Sequence, residues 1–181
     1  TAVQANVGTL VNVASDPTAP IGLAAGGTKG VTQTSSVAGV NLTSLAKVGA
    51  VTDSVNGTNT TSQWDAQTSS RVAAINLFNG AIKADAITAY AHAHGAPSTA
   101  ITVSGDSKLV NLVIGGKPIN LNVAPNTVIN LGLGKITINQ QIKTGNNKIT
   151  VRALDIVLGK AGYGLPAGAE VQVAVAIASV S

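Results

Sequence analysis

Apolar and polar residues alternate along the first fourteen positions of the chain with the two-residue period of a β-strand. One face of this strand would carry Val3, Ala5, Val7, Thr9, Val11 and Val13. The opposite positions, from Gln4 to Asn12, hold mainly glutamine, asparagine and glycine. Because successive side chains of a strand point to opposite faces, the pattern predicts one amphipathic strand over residues 1–14.

The segment that follows is dense in residues that interrupt regular structure. Residues 15–34 hold two prolines and four glycines, and clusters of this kind mark turns and loops. We therefore expect a long irregular connection. The chain divides into an N-terminal strand or arm at 1–14, a Pro/Gly-rich connection at 15–34 and a β-sandwich domain at 35–181.

Short stretches rich in β-branched residues recur through the rest of the chain, and turn signals separate them. Asn79-Gly80 predicts a type I′ hairpin turn between strands at 70–78 and 81–94. Gly105-Asp106 predicts a turn, and the polar residues 52–62 predict a loop. One or two short strands are predicted within 37–51, and further strands at 100–104, 108–114, 117–123, 127–131, 135–142, 148–158 and 170–180.

About ten strands with turns at this spacing are typical of an all-β domain. We predict a β-sandwich or jelly-roll-like domain, with a barrel as the alternative. A β-helix is less favoured because the chain has no clear internal repeat. Alanine and valine are abundant, and their small side chains would let two sheets approach closely.

The composition narrows the class of protein. Of the 181 residues, 45% are apolar, which supplies a core, while 10% are charged and none is cysteine. Soluble domains usually carry about 25% charged residues, so this surface is poor in charge. The absence of cysteine excludes a disulfide scaffold and a cysteine-ligated zinc site.

The net charge of +4 comes from 11 Lys and Arg against 7 Asp and Glu, and the basic residues are spread along the chain. Nucleic-acid binding needs a concentrated basic face, so we expect no nucleic-acid partner. No run of 18 apolar residues occurs, and we expect no membrane insertion of the mature chain. The start at Thr1 and the lack of methionine indicate a processed, exported chain.

Three stretches of the C-terminal half carry a family resemblance. They are residues 84–91 (ADAITAYA), 125–141 (PNTVINLGLGKITINQQ) and 164–171 (GLPAGAEV). On these motifs the chain resembles the choice-of-anchor P family proteins, which are exported actinobacterial surface proteins. The motifs are turn and strand patterns and include no catalytic signature. The resemblance implies an extracellular or cell-surface β protein and implies no activity.

The only two histidines, His92 and His94, are two residues apart. On a strand this spacing places both rings on one face, together with Tyr90. The pair can be read as metal ligands or as polar residues at the exposed end of a strand. A metal site needs a third ligand, and none is evident, so we favour the second interpretation and predict no metal or other cofactor.

No motif indicates catalysis. The chain lacks a Gly-x-Ser-x-Gly elbow, and its seven acidic residues are widely spaced. The glycine-rich stretch 22–29 (GLAAGGTK) departs from the order of a phosphate-binding loop. Trp64 is the only tryptophan, and we interpret it as structural rather than as a platform for a sugar. We therefore predict that the protein is not an enzyme.

The N-terminal strand suggests a function, because the long connection could carry it to two different places. It can fold back as a strand of its own sandwich, or it can complete the sheet of a neighbouring copy. The second option predicts a structural subunit of an extracellular bacterial filament (a pilus-like fibre) or surface layer, with copies of itself as partners. The predicted assembly-strand residues are Val3, Ala5, Val7, Val11 and Val13. The alternative function is a secreted monomeric adhesin or ligand-binding module.

Overall fold

The computed structural model describes residues 3–6, 27–42, 45–120, 124–132 and 134–180. Within these ranges the chain forms fourteen β-strands and one 3₁₀ turn at Phe78–Gly80. The strands are β1 (Val3–Asn6), β2 (Gln33–Val37), β3 (Val40–Leu42), β4 (Ala46–Val48), β5 (Val51–Asn59), β6 (Trp64–Leu77), β7 (Ile82–Ala96), β8 (Thr99–Val110), β9 (Val113–Ile114), β10 (Lys117–Pro118), β11 (Thr127–Leu131), β12 (Gly134–Thr144), β13 (Lys148–Leu158) and β14 (Glu170–Ser179). No helix in the described ranges is long and apolar enough to cross a bilayer.

The strands form two antiparallel sheets that pack face to face. One sheet has five strands in the order β1-β14-β13-β12-β11. The other has nine and is built on the long β6–β7 hairpin, with β8, β9 and β10 beyond β7 and with β2, β3, β4 and β5 beyond β6. Strands β13 and β14 lie over β6, β7 and β8. This arrangement confirms the predicted all-β, sandwich-like fold.

The core lies between the two sheets and consists mainly of aliphatic side chains. Fully buried examples are Val51, Val72, Ile87, Ile138, Ile149, Val151, Leu154, Val171 and Val173. Burying one such side chain contributes about 1.5–3 kcal/mol. Three alanines of β7, at 89, 91 and 93, also have no exposed surface. Side chains as small as these take up little space between the two sheets.

The two sheets approach each other closely at Gly105. A Cβ atom at this position would clash with Cγ2 of Val151 and would lie 3.1 Å from Cδ1 of Ile149. The predicted turn at Gly105-Asp106 is therefore wrong, because β8 runs without a break from Thr99 to Val110. Gly105 allows the two sheets to come into close contact, and it does not reverse the chain.

The predicted loop at 52–62 is also largely wrong, since β5 extends through most of it. Its residues alternate between buried and half-buried positions, starting from Val51, and the strand pairs with both β2 and β6. The Asn56-Gly57 dipeptide does not form a turn. It forms hydrogen bonds to residues 28 and 30, which precede it in the chain. The carbonyl oxygen of Gly57 accepts a hydrogen bond from the backbone N–H of Thr28 at 2.8 Å, and Asn56 Nδ2 donates to the carbonyl oxygen of Gly30 at 2.9 Å.

The type I′ turn predicted at Asn79-Gly80 is confirmed. Asn79 has φ 54 and ψ 37, Gly80 has φ 89, and the N–H of Ala81 donates to the carbonyl oxygen of Phe78 at 3.2 Å. Positive φ at both central residues defines this turn. The strands on either side are longer than predicted and pair from Leu77↔Ile82 to Trp64↔Gly95.

Candidate assembly site

The N-terminal strand docks on one edge of the five-stranded sheet. Strand β1 is antiparallel to β14, and Val3 and Ala5 lie opposite Val173 and Val171. These are two of the five residues predicted for the assembly strand. The other three, at positions 7, 11 and 13, lie outside the described residues, as does most of the predicted strand 1–14. In the single chain β1 is thus an edge strand of its own sandwich.

Strand β14 is buried on both faces where it meets β1. Val171 and Val173 face the core without exposed surface, and Gln172, on the outer face between them, is also buried. Farther along β14, Ile177 is 48% exposed. Its carbonyl oxygen accepts a hydrogen bond of 3.0 Å from Oγ1 of Thr68 in the opposite sheet. The β1 contact therefore coincides with the most enclosed part of β14.

A row of unusual backbone conformations crosses the five-stranded sheet near this contact. Asn139 has φ 51 and Ala174 has φ 53, values that are uncommon for residues other than glycine. Both lie level with Ala153, at a row where the regular pairing is interrupted. The interruption shifts the alternation along β13 by one residue. As a result Arg152 and Asp155, three residues apart, share the outer face of the sheet.

These two side chains belong to a hydrogen-bonded polar network on that outer face. Arg152 Nη1 donates to Glu170 Oε1 at 2.9 Å and to Gln140 Oε1 at 3.0 Å, and it lies 3.5 Å from Asp155 Oδ1. Gln172 Nε2 donates to Glu170 Oε1 at 2.7 Å, and Gln140 Nε2 donates to Asp155 Oδ2 at 3.2 Å. One guanidinium group therefore serves two carboxyl groups.

The electrostatics of the network favour a proton on Asp155. This residue is only 3% exposed. Burial, followed by the hydrogen bond and the charge of Glu170, raises its pKa to about 7, against the opposing effects of Arg152 and Gln140. Glu170 lies directly opposite Asn6 of β1 in the strand register. The network is thus part of the β1–β14–β13 junction.

The two histidines lie on the outer face of the nine-stranded sheet. His92 Nε2 is 2.7 Å from Asp65 Oδ2, and Gln67 Nε2 donates to the other oxygen of Asp65 at 3.3 Å. The ring of His94 stacks on that of His92 with 5.1 Å between centroids, and Thr102 Oγ1 lies 3.0 Å from its Nδ1. Within the described parts of the chain, no group of three or more histidine, cysteine or acidic residues is placed to hold a metal ion.

We call His92, His94, Tyr90 and Asp65 the histidine patch. Asp65 is the member of the histidine patch that the sequence did not reveal. It is 27 residues from His92, and only the register of β6 against β7 brings the two together. Burial, and then the charge of Asp65, also raises the pKa of Tyr90 above its usual value. The histidine patch is therefore a set of polar groups that surround the carboxylate of Asp65.

The remaining sequence features are also located. Trp64 begins β6, is half-buried and packs against the core. It also lines a groove at one end of the sandwich. Residues 22–26 of the glycine-rich stretch lie outside the described residues, and Gly27 forms an isolated bridge with Thr58.

No protein-family model, no curated protein and no solved structure matches this chain. The resemblance to choice-of-anchor P proteins, which was based on three short motifs, therefore stays a prediction. The case for a function consequently depends on the geometry of the molecule alone. The feature that bears most directly on it is the junction of β1, β14 and β13.

Proposed function

We propose that the protein is a structural subunit of an extracellular bacterial filament or surface layer, in which β1 of one copy pairs with β14 of the next. The observation that carries this proposal is the pairing of β1. It is a short strand that pairs only with β14 among the described strands, through four residue pairs. An identical contact can form between two copies when the intervening chain is long enough.

The intervening chain has the length that exchange requires. Residues 7–26 separate β1 from Gly27, which is tied to the nine-stranded sheet by its bridge to Thr58. Twenty residues span up to about 70 Å when extended. The longest strand of the sandwich, β7, has 15 residues and is about 50 Å long. The connection can therefore carry β1 onto an adjacent sandwich.

The character of the contact also suits addition of a strand from another copy. Strand addition takes its affinity from main-chain hydrogen bonds and its specificity from alternate side-chain pockets. On β14 the positions opposite β1 are alternately core-facing and part of the outer polar network. A head-to-tail contact of this kind produces a fibre when the rotation from one copy to the next does not close a ring. With 10% charged residues, charge repulsion between copies is low.

Disulfide trapping tests the proposal cleanly because the chain has no cysteine of its own. The test variant carries Ala5→Cys and Val171→Cys, two positions directly opposite each other in the register. Directly opposed strand residues have Cα atoms about 4.5–5.5 Å apart, which suits a disulfide. Exchange between copies predicts a ladder of covalent multimers on a non-reducing gel, and reductant should collapse the ladder to monomer.

The control pairs Ala5→Cys with Val128→Cys. Val128 is 49% exposed and belongs to β11, at the opposite edge of the five-stranded sheet, so it should give no ladder. Circular dichroism of the reduced variants establishes that both are folded. An intrachain disulfide that keeps the test variant monomeric at every concentration would show that β1 is an ordinary strand of its own subunit. That result would overturn the proposal.

A further inference from the structure

At one end of the sandwich the two sheets part and leave an open groove of about 660 Å³. The nine-stranded sheet lines it with Trp64 from β6 and with Ile101 and Val103 from β8. The five-stranded sheet contributes Lys143 from the end of β12 and Asn146 from the turn that follows. Sites for small ligands are commonly clefts of about 300–1,000 Å³, so the size fits a ligand of one or a few rings.

One wall of the groove is apolar and includes Trp64, beside which strand β7 has no side chain. Trp64 lies opposite Gly95, which offers no side chain on that face. Cγ1 of Ile101 would lie 2.9 Å from a Cβ atom at this glycine, so Ile101 occupies the space beside Trp64. Trp64, Ile101 and Val103 remain half-buried, whereas alanines farther along β7 are fully buried. The groove therefore has an apolar wall that is accessible from solvent.

The opposite wall is polar and carries one positive charge. Lys143 lies directly opposite Ile149, which is buried in the core, so the lysine is on the inner face of its sheet. It is the only charged residue among the described residues that line the groove, and no carboxylate lines it. Thr99, on the same face of β8 as Ile101, and Asn146 add neutral hydrogen-bonding groups. The groove thus combines an aromatic surface, uncharged polar groups and an unopposed cation.

We propose that this groove binds an acidic pyranose unit of a glycan. The apolar C–H face of a pyranose would pack on Trp64, since aromatic rings supply large apolar contact area. Its anionic group would face the ammonium group of Lys143, and its hydroxyls would exchange hydrogen bonds with Thr99 and Asn146. A uronic acid and a sulfated sugar share this chemistry. The proposal is independent of strand exchange, because β12 is the third strand away from β1 in the sheet.

The lone tryptophan gives a selective readout, because Trp64 is the only one in the chain and lines the groove. The full chain is titrated with oligogalacturonate, with a sulfated oligosaccharide and with neutral oligosaccharides of matched length, at constant ionic strength. We expect a saturable change in tryptophan emission with an acidic sugar and at least tenfold weaker binding of its neutral counterpart. The two acidic arms tell a carboxylated source from a sulfated one.

Variants locate the binding. Lys143→Gln should weaken binding of the acidic sugar about tenfold and leave the neutral sugar unchanged. Lys148→Gln is the matched control, because this exposed lysine lies on the same β12–β13 hairpin outside the groove. Both substitutions are at exposed positions, so folding is expected to be retained, and circular dichroism checks it.

Three results would overturn the proposal. The first is the absence of a saturable emission change with either acidic sugar. The second is an equal loss of affinity in the Lys148→Gln control, which would indicate general charge attraction. The third is an oligoglutamate peptide that binds as tightly as the acidic sugar and competes with it, which would make the groove an anion site without a preference for sugars.

Discussion

Along one strand, β8, the two sheets are in contact at one point and apart at another. At Gly105 there is no room for a methyl group, because a Cβ atom would clash with Val151. Ile101 and Val103 occupy the same face of the same strand, yet they line an open groove. The closed and open parts of the sandwich are therefore only a few residues apart.

The difference lies in what the five-stranded sheet places opposite β8. In the closed part it supplies Ile149 and Val151, which are fully buried. In the open part it supplies Lys143 and the turn that contains Asn146. Burial of apolar surface draws sheets together, so a sandwich closes only where both sheets present apolar side chains. An inner-face lysine keeps this end open to solvent.

The largest expected effect comes from removing an aliphatic side chain in the closed part. Ile149→Ala should lower the free energy of unfolding by about 3–4 kcal/mol, because it loses buried apolar surface and leaves a cavity. Urea unfolding followed by circular dichroism measures the change. Ile177→Ala is the control, since Ile177 is 48% exposed, and its cost should be below about 1 kcal/mol. Equal costs would show that the closed part is not tightly packed.

The next effect comes from adding a methyl group at the point of contact. Gly105→Ala should lower the free energy of unfolding by about 2 kcal/mol, because the new Cβ atom forces the two sheets apart. The control is Gly132→Ala, where a Cβ atom would meet nothing within 4 Å. That change should be neutral or stabilise by about 0.5 kcal/mol. Thermal unfolding of both variants compares them, and a neutral Gly105→Ala would contradict the close approach.

A third effect concerns Asp155, a buried carboxyl group on the outer face of β13. The pKa of Asp155 is raised to about 7 in the folded protein, against about 3.9 for an unfolded chain. Between these values the folded protein holds a proton that the unfolded chain has lost. Stability from this group is therefore complete below about pH 4, falls as pH rises and is lost above about pH 7.

The matching variant is Asp155→Asn, which resembles the protonated acid and removes this pH dependence. At pH 8 the variant should be more stable than the parent by about 1–2 kcal/mol, because it leaves no ionised carboxyl group beside Glu170. Near pH 4.5 the two should be similar. Urea unfolding across this pH range measures the difference. Parallel stability curves for the two proteins would mean that Asp155 is ionised throughout, as an ordinary surface carboxylate would be.

The smallest effect is expected in the open part. Ile101→Ala should cost about 0.5–1 kcal/mol, because the half-buried side chain loses little apolar burial and leaves no closed cavity. Chemical unfolding measures it beside Ile149→Ala, which removes the same atoms from the closed part. A cost similar to that of Ile149→Ala would show that the end of the sandwich is packed shut in solution.

The sequence predicted the strands better than it predicted the places where they stop. The hairpin at Asn79-Gly80 is confirmed because both residues have the positive φ values that this dipeptide favours. The turn at Gly105-Asp106 and the loop at 52–62 were wrong, although their residues also favour turns. In both places the glycine contacts a distant segment, namely Val151 or Thr28. A local pattern cannot distinguish these two uses of glycine.

The candidate sites were less accessible to sequence reasoning than the strands. Val3 and Ala5 were predicted as assembly residues from the alternation in the first strand, and both lie in β1. The network of Arg152, Asp155 and Glu170 gave no signal, because its members are on two strands and the alternation breaks at Ala153. Strand register is a property of the paired sheet, so it does not appear in either strand alone.

Two properties follow from the sequence by itself. The period-two alternation and the abundance of β-forming residues determine an all-β molecule with a mainly aliphatic core, because amphipathicity is set within each strand. The lack of cysteine and the low fraction of charged residues are also read directly from the sequence. The tertiary structure alone decided that β1 pairs with β14, that Gly105 touches Val151 and that the sheets part beside Trp64. Those outcomes depend on contacts between residues far apart in the chain, which no single segment encodes.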